Sequence, residues 1–237
     1  MTKLNFPYIT MPLPEWIGPV VAKVFAKMCD DSTGHDFLHA VRVMELAAMI
    51  ADELHADADI AAAAGLMHDY YRKEEKETGR LHFGPEAIAD LRREFGPLII
   101  PEIGENDFDR ILDAIALHES YSANAALSLD TQILQDADRL EALGAVGIAR
   151  TFMFGGAHGL PMIEEKRKTA AAEFDPNVAP NGSVHMHFYE KLLKLADGMH
   201  TAPGKRMAAQ RHQVMVTFLE QFENELGLIS PTVINGT

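Results

Sequence analysis

His68 and Asp69 stand side by side at the end of an apolar run, Ile60-Ala-Ala-Ala-Ala-Gly-Leu-Met-His68-Asp69. His39 lies far upstream and Asp138 far downstream. Imidazole and carboxylate together suit divalent ions such as Mn, Fe, Co, Ni and Zn. The single cysteine, Cys29, excludes an all-thiolate site and any internal disulfide. Asp138 sits in Leu134-Gln-Asp-Ala-Asp-Arg-Leu-Glu-Ala-Leu-Gly, where Leu134, Ala137, Leu140 and Ala142 mark a buried side. A carboxylate beside such a stripe needs a cation or a metal as compensation. Neighbouring helical residues point about 100° apart, so His68 and Asp69 can share one ion only near the helix end. Spacing alone leaves a second reading open: hydrogen-bonded core histidines, Asp69 as a turn residue, and Asp138 paired with Arg42.

Helices must carry these residues. Residues 15–29 hold Ile17, Val20, Val21, Val24, Phe25 and Met28 at helical spacing. Residues 35–55 repeat the stripe with Leu38, Val41, Leu46, Met49 and Ile50. Asp57 or Asp59 can cap the helix that ends at His68-Asp69. Further helices are predicted at 85–95, 107–119, 130–150, 185–198 and 205–226, the last with Val214, Phe218, Phe222 and Leu226 on one stripe. Strand alternation is absent, so the chain reads as an all-α bundle. The expected layout is a leader at 1–14, one domain at 15–226 and a tail at 227–237. A long loop at about 153–184, rich in Gly and Pro, separates the Asp138 helix from the C-terminal helices and reads as a lid. The run Arg72-Lys73-Glu74-Glu75-Lys76-Glu77 reads as a solvated helix end.

With 237 residues, 47% of them hydrophobic, the chain can bury a large core. A net charge of −14 argues against nucleic-acid polymers and anionic membranes as partners. A phosphate-bearing ligand then needs a local basic pocket or a metal. The start MTKLNFPYITMPLPEW lacks an apolar signal core, and no run reaches the roughly 18 apolar residues of a membrane span. The expectation is a soluble cytoplasmic protein, with a monomer or a homodimer left open.

Gly34-His-Asp-Phe-Leu-His39-Ala-Val-Arg42-Val, His68-Asp69 and Asp136-Ala-Asp138-Arg139-Leu-Glu-Ala-Leu-Gly together resemble the HD-domain superfamily of metal-dependent phosphohydrolases. More narrowly, the chain resembles its YedJ/YpgQ-type bacterial members. The run from Asp136 to Arg150, the segment His187-Phe-Tyr-Glu-Lys191-Leu-Leu-Lys-Leu and the segment Thr201-Ala-Pro-Gly-Lys205 carry that likeness, which covers about residues 30–225. The resemblance implies an HD-domain helical bundle with His39, His68, Asp69 and Asp138 around one divalent ion (Mn, Mg, Ni or similar). It implies metal-bound water as the nucleophile on a phosphoric anhydride or phosphoester. It further implies a phosphorylated small-molecule substrate, nucleotide-like, since some members of the group cut a nucleoside triphosphate to monophosphate and pyrophosphate.

Several family features need separate reading here. Many HD phosphohydrolases carry an acid shortly after the His-Asp pair; here Tyr70-Tyr71-Arg72-Lys73 follows, with Glu74 or Glu75 as weak substitutes. His118 is a candidate proton donor, catalytic together with Asp69, or a ligand to a second ion with His82. Such a dinuclear set would also suit a di-iron HD-type oxygenase, although the interval from His68 to His82 is short for that class. Candidate phosphate contacts are His35, Arg42, Arg72, Arg139, Arg150, Lys191, Lys194 and Lys205. A third alternative is a metal-binding protein that senses a nucleotide without cleaving it.

Overall fold

The computed structural model describes residues 8–30, 34–120, 126–164 and 182–227. Every regular element among them is helical, as the periodicity predicts. In chain order they are α1 (Ile17–Met28), α2 (Phe37–Glu53), α3 (Ala58–Met67), α4 (Arg72–Thr78), α5 (Pro85–Ile103), α6 (Glu105–Leu117), α7 (Leu129–Glu141), α8 (Gly144–Ala157), α9 (Val184–Glu190), a 3-10 segment (Leu192–Gly198) and α10 (Ala202–Glu225).

The centre of the bundle is α3. Every residue from Ile60 to Met67 is buried, and α1, α2, α6 and α7 all pack on it. A helix apolar on all sides has no stable place except inside. Its start is set by Asp57, whose carboxylate accepts from the backbone N–H of Asp59 and Ile60. Asp36 caps α2 in the same way, accepting from the His39 N–H. Small residues let α3 lie close against α2. A Cβ built on Gly65 would stand 2.9 Å from both Cα and N of Met44, so only glycine permits this approach. The two helices that carry His39 and His68 are thereby pressed together.

The predicted helix at 130–150 is two helices. Gly144 adopts φ 75°, a left-handed turn that ends α7 and redirects the chain into α8. The predicted helix at 85–95 continues to Ile103 through Pro97 and Pro101, both on its exposed side. There the carbonyls that lose an N–H partner remain open to water. The segment 185–198 divides into α9 and the 3-10 segment. Residues 153–157 of the expected lid belong to α8, because the helical pattern runs on past Met153. The middle of that loop, with Lys166-Arg167-Lys168, lies outside the described residues, as do the first seven and last ten residues of the chain. On α10 the fully buried stripe is Ala208, Met215 and Leu219 rather than Val214, which is 47% exposed. Phe218 and Phe222 instead close an aromatic cluster with Phe152 of α8, and Phe188 of α9 packs against Phe152 and Phe218. The charged run is a separate helix, α4, and its Arg72 and Glu75 turn inward rather than face water.

Candidate metal centre

Five segments bring their polar side chains to one point. His39 comes from the first turn of α2. His68 closes α3 and Asp69 follows it. His82 lies in the turn before α5, His118 closes α6, and Asp138 sits on α7. All are buried except Asp138, which is partly exposed and marks the open side.

The imidazoles form two pairs. Nε2 of His39 and Nε2 of His68 are 3.2 Å apart, and Asp69 Oδ2 lies 3.3 Å and 3.4 Å from them. Asp138 Oδ1 completes this group at 3.7 Å and 3.8 Å. Nε2 of His82 and Nε2 of His118 are 3.3 Å apart, and the other Asp69 oxygen, Oδ1, is 3.1 Å from His82. His39, His68 and Asp69 form one group spaced to hold a metal ion; Asp69, His82 and His118 form another. The short interval from His68 to His82 therefore does not keep His82 away from the centre.

The opposite ring nitrogens explain this orientation. Nδ1 of His68 donates to the Gly65 carbonyl at 2.8 Å, and Nδ1 of His118 donates to the Ile115 carbonyl at 2.7 Å. Both use an i−3 carbonyl at a helix end, and the Ile115 carbonyl also accepts from the His118 backbone N–H at 3.4 Å. Nδ1 of His82 donates to the Glu75 carboxylate, and Nδ1 of His39 faces Glu141 Oε2 at 3.1 Å. These hydrogen bonds assign the Nδ1–H tautomer to His68, His82 and His118, whereas His39 Nδ1 and Glu141 Oε2 approach without forming a hydrogen bond. The Nε2 atoms converge two by two about Asp69, an arrangement spaced to suit a metal ion.

Titration in the metal-free protein follows the same division. Burial, reinforced by Arg150, lowers His39 to about 4. Burial, with the charges of His68 and His82, lowers His118 to about 3. Burial opposes the charged form of His68 too, but the charge and hydrogen bond of Asp69, with Asp138, outweigh it and raise His68 to about 9. His82 is likewise raised against its burial, by its hydrogen bonds to Asp69 and Glu75. Asp69 and Asp138 are held below the usual carboxylate range despite burial, first by the His68 charge. The His39–His68 pair thus keeps one proton between its two nitrogens at neutral pH, where an ion would otherwise sit. The donor set fits a divalent ion of borderline or hard character.

The expected phosphate contacts divide into groups. Lys191 and Arg150 are largely buried and feel the charge of Asp138, and each has a lowered pKa from burial. Lys191 also lies within electrostatic reach of Glu119 and Arg72. His35 packs edge-on to His39 with ring centres 5.4 Å apart, and its Nδ1 has no hydrogen-bond partner among the described residues. Arg72 reaches the centre but is engaged, donating to Glu119 Oε1 at 2.8 Å and contacting His82. Arg42 does not pair with Asp138; it donates to Glu141 Oε1 at 2.7 Å and 2.6 Å, and Arg150 pairs with the same carboxylate. Arg139 points away, donating to the Gly198 carbonyl at 2.6 Å and to Gln135 at 2.9 Å. Lys194 and Lys205 are exposed. Two participants were not singled out from sequence, Glu119 and Glu141. Glu141 had a signal: it stands three residues after Asp138, on the same helical face. Glu119 had only its adjacency to His118.

The HD domain family model matches residues 36–143, the stretch that holds all six centre residues. The chain is 33% identical to the YpgQ protein of Bacillus subtilis over 203 residues, 84% of this chain and 88% of that one. It superposes on the crystal structure of B. subtilis YpgQ in complex with ADP with a TM-score of 0.69 at 32% identity, covering 92% of this chain and 96% of that one. An HD-superfamily hydrolase from Bacillus thuringiensis gives a TM-score of 0.65 at 33% identity, with 91% and 98% covered. Fold and cluster together support a metal-dependent hydrolase, and the chain belongs to the HD-domain superfamily as a YpgQ-like member.

Proposed function

We propose that this protein hydrolyses a phosphoric anhydride or phosphoester bond of a nucleotide-like substrate, using divalent metal held by the His/Asp centre. The observation that carries the reading is Asp69, whose two oxygens face two converging imidazole pairs. His39, His68, Asp69 and Asp138 would hold one ion, and Asp69, His82 and His118 a second. Bound divalent ions lower the pKa of water and offset charge on a phosphoryl group.

The remaining work falls to this chain's own side chains. Lys191 and Arg150 supply positive charge next to the half-open side marked by Asp138. In a protein of net charge −14, such local cations are what a polyanionic substrate needs. Arg72 stays charged against its burial because Asp69, Glu119 and Glu75 surround it. Arg72 would orient a phosphate oxygen and release Glu119 as it does so. His118, lowered to about 3, carries no proton to donate at neutral pH, which favours it as a ligand over a general acid. The ADP bound by the YpgQ structure supports a nucleotide here.

Metal content of the purified protein, followed by turnover of nucleoside mono-, di- and triphosphates with that metal, tests the proposal. Release of phosphate or pyrophosphate is the expected result. A protein that binds nucleotide tightly and turns over none of them is a sensor instead. The oxygenase reading draws on the same six residues; oxygen consumption by the iron-loaded protein, without phosphate release, would replace the hydrolytic reading.

A further inference from the structure

Each half of the centre contains one ring backed by a main-chain carbonyl and one backed by a carboxylate. Glu141 is 1% exposed on α7, one turn beyond Asp138. Its Oε2 stands 3.1 Å from His39 Nδ1, within ion-pair range but not aligned as a hydrogen bond, and its Oε1 accepts from Arg42 at 2.6 Å and 2.7 Å. Arg150 closes on the same carboxylate from α8. Glu75, on α4, accepts from both the ring Nδ1 and the backbone N–H of His82, the latter at 3.1 Å. Glu75 is therefore fixed by two bonds to one residue, and Glu141 by two arginines. A carboxylate behind an imidazole fixes its tautomer and rotation and makes the far nitrogen a better donor.

We propose that Glu141 and Glu75 are positioning residues that serve separate ions. Glu141 acts through His39 on the ion between His39, His68, Asp69 and Asp138. Glu75 acts through His82 on the ion between Asp69, His82 and His118. The division rests on the two-ion reading above. It also gives the two glutamates a division of labour. The Glu141 side is tied by Arg42 and Arg150 to the positive rim, and the Glu75 side is tied to Arg72 and Glu119. The competing account is that Glu141 only anchors two arginines and Glu75 only caps a turn. That account predicts a change in apoprotein stability and none in ion affinity.

The test titrates Mn(II) calorimetrically into the metal-free full chain, with bound Mn counted by elemental analysis and melting temperatures taken without metal. Wild type should bind two ions. Glu141→Gln and Glu75→Gln should each lose about 10–100-fold in affinity for one ion and keep the other, and the double variant should lose both. Glu141→Asp keeps the charge facing Arg42 and Arg150 but withdraws the oxygen from His39. It should show the same selective loss, and it covers the case in which Glu141→Gln does not fold. A variant that binds both ions as tightly as wild type overturns the assignment of its glutamate. Wild type binding a single ion that Glu75→Gln leaves untouched overturns the two-ion reading and the Glu75 assignment together. Weakening of that single ion by Glu141→Gln would still support the Glu141 assignment.

Discussion

Asp69 is the residue on which both halves of the centre depend, because its oxygens are divided between them, Oδ2 toward His39 and His68 and Oδ1 toward His82. Asp138 belongs to one half only, at 3.7 Å and 3.8 Å from His39 and His68. Removing them should therefore have unequal effects. Asp69→Asn should abolish uptake of both ions and all hydrolysis. Asp138→Ala should abolish hydrolysis while one ion is retained on Asp69, His82 and His118. Elemental analysis of each desalted variant decides this, and full metal content in Asp138→Ala would refute its role as a ligand. The protonation pattern gives a second expectation. His68 is raised to about 9 and His39 lowered to about 4, so the first pair holds one proton at pH 7. An ion must expel it, since the ligand nitrogen has to be unprotonated. Uptake at pH 7 should release about one proton from this pair. Release should vanish above about 9, where His68 has already lost its proton. Binding enthalpies measured in buffers of different ionisation enthalpy report that number directly. The His68-Asp69 pair and its partners His39 and Asp138 were legible from residue type and order. The partition of Asp69 between two imidazole pairs was not, because no sequence spacing reveals which oxygen of a carboxylate faces which ring.

The bundle delivers these side chains through close contact of α2, α3, α6 and α7. Gly65 is the tightest point of that contact, with Met44 backbone 2.9 Å from where a Cβ would be. Gly65→Ala forces α3 away from α2 and should cost about 1–3 kcal/mol by overpacking. For a domain of this size that is a drop of roughly 2–12 °C in melting temperature, at about 2–4 °C per kcal/mol. Because His68 is one turn beyond Gly65, the displacement also widens the His39–His68 gap. Metal affinity should then fall in parallel with stability. Calorimetric melting with and without Mn(II) separates the two effects, and unchanged affinity would show that α3 relaxes without moving His68. At this scale the sequence was informative where helical stripes were long, as in α2, or capped, as with Asp57 before α3. It misled at chain breaks. Pro97 and Pro101 suggest a stop, yet α5 runs on because both face water. Gly144 lies inside a continuous apolar pattern, and only its φ of 75° makes it a break. The pairing of His82 with His118 depends on α5 packing against α6 so that the turn before α5 meets the end of α6, a tertiary contact that local periodicity does not encode.

The molecule as a whole joins segments from residue 39 to residue 138 at one polar point inside a largely apolar bundle. Without an ion, that point is held by hydrogen bonds among its imidazoles and the carboxylates around them. Divalent ions would replace these contacts with stronger, directional bonds to α2, α3, α6, α7 and the turn before α5. Binding to the folded state alone must stabilise it by mass action, about 2.7 kcal/mol at a free-ion concentration 100 times Kd. The metal-loaded protein should therefore melt about 5–11 °C above the chelated one, at 2–4 °C per kcal/mol. Asp69→Asn should show no such shift, since it removes a ligand common to both ions. Hydrogen exchange adds the location of the effect. Protection should rise at the C-terminal ends of α3 and α6, where Gly65 and Ile115 carbonyls hold the Nδ1 hydrogens of His68 and His118. It should be unchanged in the Phe152, Phe188, Phe218 and Phe222 cluster, which packs elements that carry no ligand. A melting shift spread evenly over both regions, or one that persists in Asp69→Asn, would place the stabilising ion elsewhere on the protein.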